Sequence, residues 1–347
     1  MNIVRVALAV PLPRFFDYLY APDLTPIVGG RVLVPFGSQK RVGIVVDLPA
    51  SSDVAKEKLK PIIDVLDTES LFNSTTWDWL AWSANYYRAA LGDVLFQALP
   101  VKLRNGESAV KNDRTFWRIT ELGKQALESG ELKRAKKQIE ALNLLLTQYL
   151  EKGNNEISSA IWSALKGKDY VEEVIVPTEQ KSWQQALGDN PLVNLDNRLT
   201  LNKQQALAFS QLLFQEGFNV WLLEGVTGSG KTEIYLQYIE EVLKKGKQVL
   251  VLVPEIGLTP QTVRRFQARF NVEIDVLHSN LNDTQRLNVW ERARTGQSAI
   301  VIGTRSALFT QFSDLGLIIL DEEHDGSFKQ QDGWRYHARD LGIVLAQ

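Results

Sequence analysis

The chain has 347 residues, 44% hydrophobic and 23% charged, with a formal net charge of −2 and no cysteine. That length exceeds one compact core, so two or three domains are expected, and the balanced charge excludes a globally basic nucleic-acid binder, leaving local basic surfaces only. Without cysteine there are no disulfides, thiolate zinc sites or cysteine nucleophile in this chain; no run approaches the roughly 20 apolar residues of a membrane span, and Met1–Arg5 does not open a signal peptide, so a cytoplasmic location is expected.

Residues 1–105 read as β-rich. Val4, Val6, Leu8 and Val10 alternate with Arg5, Ala7 and Ala9, the period of a strand. Gly29-Gly30 opens a second run over Arg31–Pro35. The turn Phe36–Lys40 then leads into Arg41–Leu48, which predicts a hairpin of a small barrel or sandwich. Trp77, Leu80, Trp82, Tyr86 and Tyr87 predict a helix over 75–91.

Residues 106–195 carry the most local charge, with Lys133, Arg134, Lys136 and Lys137 inside five positions. Leu142, Leu144, Leu145, Leu146 and Leu150 follow on a predicted helix, a second helix starts near Glu156, and Val174–Val176 resembles a strand. Helices followed by a small ribbon suggest a winged helix that touches DNA. A solvated charged helix face explains the same charges, and both readings stand. Ser182–Asn197 is polar, with Gly188 and Pro191, and predicts a linker.

Residues 196–347 alternate between strand-like and helix-like segments. Strands are predicted at Val220–Leu223, Val249–Val253, Val272–Leu277, Ser298–Ile302 and Leu317–Leu320, with helices at Thr232–Lys245, Pro260–Phe270 and Asp283–Thr295. The strands are nearly continuous apolar runs, as strands buried on both faces should be, so an α/β layer on a parallel sheet is expected.

Gly225-Val226-Thr227-Gly228-Ser229-Gly230-Lys231-Thr232 falls between a predicted strand and a predicted helix. In that context glycines let backbone N–H groups converge on phosphate oxygens, and a helix N-terminus faces the same anion. Lys231 supplies a charge for the β and γ phosphates, and the Thr232 hydroxyl is placed to ligate Mg²⁺. The cradle is therefore assigned to Gly225, Gly228, Ser229, Gly230, Lys231 and Thr232. Leu317–Leu320 ends in Asp321-Glu322-Glu323-His324, which sets acids at the C-terminal end of a parallel strand. Asp321 would hold Mg²⁺ through its water shell, and Glu322 would orient and deprotonate the attacking water. Gln205 could pair with an adenine edge.

Together these strings resemble motifs of superfamily 2 helicases: the Q motif at Gln205, motif I at 225–232 and motif II at Asp321–His324. Val253–Gln261, Ile302–Phe309 and the aromatic-rich Phe328–Asp340 narrow the resemblance to the bacterial replication-restart helicase family PriA, also called primosomal protein N′. Pro11–Tyr18 and Val34–Gly37 extend it to the N-terminus.

The resemblance implies three domains: a 3′-end DNA-binding domain over 1–105, a winged helix and linker over 106–195, and a first motor lobe over 196–347. The end pocket would use Phe16, Asp17, Tyr18, Gly37 and Lys60. An aromatic can stack on a base, and Asp17 can accept a bond from a free 3′ hydroxyl while repelling a continuing phosphate. Core packing of Phe16 and Tyr18 is the other reading. Catalysis would fall to Lys231, Asp321, Glu322 and His324. Thr304, Arg305 and Ser306 would grip the translocated strand. Phe328, Trp334, Tyr336, His337 and Arg339 would stack on or contact single-stranded DNA, unless those aromatics form a packed loop instead.

The implied activity is an ATP- and Mg²⁺-dependent 3′→5′ DNA helicase of replication restart. It would act on forked and single-stranded DNA beside the bacterial nucleoid, with single-stranded-DNA-binding protein and primosome proteins as partners. A complete family member continues with a second motor lobe and a cysteine-rich zinc module. Zinc is thus expected in the full-length family and not here, and a fragment ending at Gln347 is expected to bind forks without unwinding alone. A DNA-structure module with an inert motor lobe, or a P-loop ATPase unrelated to DNA, are the alternatives.

Overall fold

A computed structural model describes residues 2–10, 12–109, 113–129, 132, 135–147, 150–151, 157–177, 181–214, 217–226 and 228–347. Pro11, Lys133, Arg134, Glu156 and Thr227, each used above, lie outside them. Met1–Ala109 and Lys181–Gln347 form one compact unit, and Val110–Gln180 forms another.

The first unit begins with an antiparallel sheet: β1 (Asn2–Leu8), β2 (Phe16–Tyr20), β3 (Arg31–Phe36), β4 (Gln39–Asp47) and β5 (Asp64–Val65), in the order β2-β1-β4-β3-β5. Alternation does the sorting. Val4, Val6, Val32, Val34 and Val45 point inward and are fully buried. The sheet closes on itself because Leu19 N–H donates to the Lys60 carbonyl at 2.9 Å and Ile62 N–H to the Leu19 carbonyl at 2.8 Å. The segment from Lys60 to β5 thereby bridges the two outer strands of a small barrel.

Helices α1 (Ser74–Tyr86), α2 (Leu91–Gln97) and α3 (Val101–Arg104) follow. Asn73 caps α1 by accepting from Thr76 N–H at 2.7 Å. The single helix expected over 75–91 breaks at Arg88, whose φ of +54° cannot continue a right-handed helix. Gly92 opens α2 where any Cβ would strike the Leu8 carbonyl, so glycine sets how closely α2 meets β1. Arg31, fully buried, pairs with Asp67 at 2.7 Å and donates to the Leu103 carbonyl at 2.5 Å, pinning α3 to the barrel.

The second unit is built from β6 (Asp113–Ile119), α4 (Glu121–Glu128), α5 (Lys136–Thr147), β7 (Leu150–Glu151), α6 (Ser159–Lys166) and β8 (Val171–Pro177). Its antiparallel sheet runs β7-β6-β8. Ala141, Leu142, Leu145 and Leu165 bury against Trp117 and Trp162, whose rings stack 5.2 Å apart. Lys136 and Lys137 open α5.

The rest of the first unit comprises α7 (Trp183–Leu187), α8 (Lys203–Leu213), α9 (Lys231–Lys244), β9 (Gln248–Leu252), α10 (Pro260–Arg269), β10 (Ile274–Leu277), α11 (Asp283–Arg294), β11 (Ile300–Gly303), β12 (Leu315–Leu320) and α12 (Ala338–Ala346). The sheet is parallel, in the order β10-β11-β9-β12. The α/β layer expected from the alternation is therefore present, beside a β-rich N-terminal domain.

Two expectations change. Val220–Leu223 joins no sheet: Val220, Trp221 and Leu222 are 56%, 43% and 73% exposed. An apolar run becomes a strand only with a hydrogen-bonded neighbour, and among the described residues β12 pairs with β9 alone. Ser182–Asn197 is not a free linker either. Trp183 is 3% exposed, its N–H donates to the Gly296 carbonyl at 2.8 Å, and Val193 bridges to Phe270. Two apolar anchors inside a polar stretch tie it to the lobe.

Candidate nucleotide site and DNA-end pocket

The phosphate loop runs into α9. Gly228 and Gly230 hold φ of +79° and +86°, where glycine alone is unstrained, and Gly230 is the residue from which α9 starts. Lys231 lies across the loop, its ammonium donating to the Gly225 carbonyl at 2.6 Å. Gln205 lies against Gly230, leaving no room for a Cβ there, and donates through Nε2 to the Ser229 carbonyl at 2.8 Å. Its Oε1 accepts from Asn202 N–H at 2.9 Å, closing a capping box on α8. Both ends of the amide are thus engaged. Gln205 braces the loop from the start of α8, with one amide hydrogen and one Oε1 lone pair committed to that role.

Behind the loop, Glu233 on α9 accepts from the almost fully buried Arg269 at 2.9 Å, and Arg269 donates to the Asn197 carbonyl at 2.8 Å. Gln237 extends the network to the Leu199 carbonyl at 2.9 Å. Asp196, Asn197 and Leu199 therefore line a cavity of about 670 Å³ together with the loop, Asp321 and Glu322.

Asp321 directly follows β12, its N–H donating to the Leu252 carbonyl at 2.9 Å. Burial raises its carboxyl above the usual carboxylate range, only partly offset by the Tyr235 hydroxyl, which donates to Oδ2 at 3.2 Å. That hydroxyl also meets the Thr232 side chain, and burial raises it in turn. Thr232 and Asp321 are thus brought to one point. Among the described residues no cluster of three or more His, Cys, Asp or Glu could cage a metal. A hydroxyl and one carboxylate nevertheless fit Mg²⁺, which binds through few protein ligands plus phosphates and water. Glu322 adopts a left-handed φ of +51°, strain placed at the turn that carries the acids. Its carboxylate is 3.8 Å from His324, which is exposed. Glu323 pairs with Arg339 at 2.9 Å, tying this turn to α12.

At the barrel rim, Phe16 lies opposite Val6 and faces inward, meeting Phe36 edge-on with centroids 5.3 Å apart. Asp17, the next residue, takes the other face of β2 opposite Arg5. Its carboxylate accepts from Arg5 Nε and Nη2 at 2.8 and 3.1 Å and from the Ser52 hydroxyl at 2.6 Å. The Arg5 bonds hold it below the ordinary carboxylate range, with Ser52 adding to the effect. Asp17 is therefore a neutralised, positioned acceptor. It repels a continuing phosphate less than the isolated carboxylate expected from sequence. Tyr18 is buried and donates to the Pro35 carbonyl at 3.2 Å, which supports the packing reading for that ring. Gly37 occupies the open β3–β4 turn at φ +60°, and Lys60 lies exposed alongside β2.

The motor-lobe residues expected on DNA divide. Thr304 is half-buried and Ser306 is exposed. Arg305 turns inward and donates to the Ser327 and Lys329 carbonyls at 2.8 and 2.9 Å, so it anchors the following loop rather than offering itself to a phosphate. Phe328, Trp334 and Tyr336 are 0%, 3% and 3% exposed, which corrects the expectation of open stacking faces. The Trp334 and Tyr336 rings pack with Phe309, Phe309 packs on Trp79 of α1 at 5.7 Å, and Phe328 belongs to the same buried cluster. The hydrophobic effect wins here because large rings gain most when removed from water. Burial pushes the Tyr336 hydroxyl up to about 12. His337 caps α12 by accepting from Arg339 N–H at 3.2 Å.

Residues 5–100 match the PriA 3′DNA-binding domain family, and residues 202–346 match the DEAD/DEAH box helicase family. The chain is 76% identical, over its whole length, to the replication restart protein PriA of Haemophilus influenzae, spanning 48% of that protein. It is 35% identical over its whole length to the replication restart protein PriA of Buchnera aphidicola subsp. Acyrthosiphon pisum, and 30% identical to that of Bacillus subtilis. From end to end, the chain is PriA-like. It spans about half the length of the curated relatives it matches.

Several residues of this PriA-like site carried no signal in the sequence motifs. Tyr235 could have been found, since it falls three residues after Thr232 on a predicted helix and so on the same face. Arg5 and Ser52 could not: they meet Asp17 only through strand pairing and a distant loop. The Glu233–Arg269 pair likewise joins two helices that the motifs do not connect.

Proposed function

We propose that this chain supplies the fork-recognising and first motor portion of an ATP-dependent 3′→5′ DNA helicase of replication restart. The observation that carries the reading is a shared core. Leu80 and Leu95 of the DNA-end domain's helices belong to one buried cluster with Leu250, Trp290 and Leu308 of the ATP lobe. The barrel's helices and the parallel sheet share this core, so the end-binding and ATP-binding parts can act as a unit.

In the ATP site, Lys231 and the loop amides neutralise the β and γ phosphates. Thr232 and Asp321 hold Mg²⁺, which offsets charge on the phosphates when bound. Glu322 orients the attacking water, with His324 beside it at 3.8 Å. In the barrel, Phe16 offers a stacking ring, Gly37 an open turn, Lys60 a cation and Asp17 an acceptor for a terminal 3′ hydroxyl. Thr304 and Ser306 contact the translocated strand. Residues 110–180 act as a winged helix on a duplex arm. This reading is supported by three helices packed on a three-stranded antiparallel sheet, with Lys136 and Lys137 at the head of α5. Forked DNA is the substrate, single-stranded-DNA-binding protein and primosome proteins are the partners, and the location is the cytoplasm beside the nucleoid. No described helix is long and apolar enough to cross a membrane.

The test is binding of this chain to a model fork with a free or a phosphorylated 3′ end at the branch, at stated salt, together with titration of a fluorescent ATP analogue. Tighter binding of the free end, and loss of analogue binding in Lys231→Ala, are expected. Equal affinity for the two forks refutes the end pocket, and an indifferent Lys231→Ala refutes the ATP site.

A further inference from the structure

Two exposed arginines stand at the barrel rim beside the proposed end pocket. The Arg14 guanidinium lies over the Phe16 ring, 5.1 Å from its centroid, and Arg41 lies over Phe36 at 5.3 Å. The two rings contact one another. The strands explain the arrangement. Arg41 pairs with Val34 across β3–β4 and so shares a face with Phe36, while Arg14 precedes Phe16 by two residues. Among the described residues, no carboxylate lies within ion-pair distance of Arg14 or Arg41. Arg5, by contrast, is committed to Asp17. Attraction to the ring face holds each guanidinium at the rim without committing its N–H donors to an ion pair. Such a group is prepared for a planar, two-pronged bond to phosphate.

The geometry points to a second subsite next to the end pocket: Arg14 and Arg41 bind phosphodiesters of the strand whose 3′ terminus lies at Phe16 and Gly37. The inference rests on the proposed end-binding role and extends it. The pocket takes the terminal nucleotide, and the two arginines take the backbone leading to it. Division of labour follows, because end discrimination resides in the pocket while affinity and salt dependence reside at the rim.

The experiment uses 3′-hydroxyl and 3′-phosphate forms of a thymidine dinucleotide and a thymidine hexanucleotide. They are titrated at several salt concentrations against the unaltered chain, Arg14→Gln/Arg41→Gln and Arg14→Lys/Arg41→Lys. Each phosphate contact on a single strand contributes a slope of about 0.7 in log affinity against log salt, so losing two should flatten the slope by about 1.4 and weaken the hexanucleotide about 25-fold at 0.1 M salt. The 3′-hydroxyl preference of the dinucleotide should persist in the glutamine variant. The lysine variant should keep the slope with reduced affinity, since charge remains without the planar stack. An unchanged slope and hexanucleotide affinity in the glutamine variant overturn the subsite. If the unaltered chain shows no preference for a free 3′ hydroxyl but the slope still flattens, the end pocket fails and the two arginines stand as phosphate ligands.

Discussion

Asp17 and Tyr235 each owe their role to one partner. Asp17 is nearly buried and is held by Arg5 and Ser52. Hydrogen bonds to a charged group contribute about 1.5–3 kcal/mol, and the partial exposure of Arg5 reduces this toward about 1–2 kcal/mol. Because the folded carboxyl lies below its unfolded value, the contribution is present above the ordinary carboxylate pKa and is lost as pH falls through the lowered one. Asp17→Asn should therefore lower Tm at pH 7 and converge with the parent chain in strong acid. A gap independent of pH would show that packing, not the ion pair, carries the effect. Tyr235→Phe removes the bond to Asp321 and leaves the ring in place. Losing one bond of about 1 kcal/mol should weaken Mg²⁺-dependent binding of an ATP analogue about five-fold, with Mg²⁺-free binding unchanged. Equal weakening with and without Mg²⁺ would place Tyr235 outside the metal's reach.

At the scale of elements, α8 and α9 meet through Gln205 and Gly230. In Gly230→Ala the new Cβ meets both an unfavourable left-handed φ and the Gln205 amide. Analogue binding should fall more than about ten-fold, while the circular dichroism spectrum stays that of the parent. Retained binding would mean that the loop tolerates a shift of α8. The segment from 181 to 195 makes a different prediction. Trp183 fills the core beneath β9, and truncating a buried tryptophan costs about 3–5 kcal/mol. Chemical denaturation of Trp183→Ala should show that loss, whereas a side chain in a solvated linker would cost about 0.5 kcal/mol or less.

Over the whole molecule, the aromatic loop is a joint. Trp79 packs on Phe309 and donates from Nε1 to the Leu341 carbonyl at 2.9 Å, so α1, which follows the barrel, is hydrogen-bonded to α12 of the parallel-sheet lobe. Gln311 adds a buried bond to the Leu71 carbonyl at 2.6 Å. Hydrogen exchange on Trp79→Ala should accelerate in the barrel helices and the parallel-sheet lobe together, leaving 113–177 unaffected. Faster exchange in α1 alone would show that the two parts of the first unit do not share their stability.

The phosphate loop, the acids after β12 and the alternation of the barrel strands were legible in the sequence because each is encoded by neighbouring residues. Backbone periodicity and glycine torsions are local properties, and reading them needs no partner. The tertiary structure decided everything that depends on a distant partner. It buried Phe328, Trp334 and Tyr336, which as a string beside cations read first as a DNA surface. It spent Gln205 on the loop, turned Arg305 inward, and paired Asp17 with Arg5 across β1 and β2. It also left Val220–Leu223 outside the sheet, since an apolar run becomes a strand only where another strand completes its hydrogen bonds. Residue type sets what a side chain can do, whereas its neighbours in space determine which of those capacities remains free.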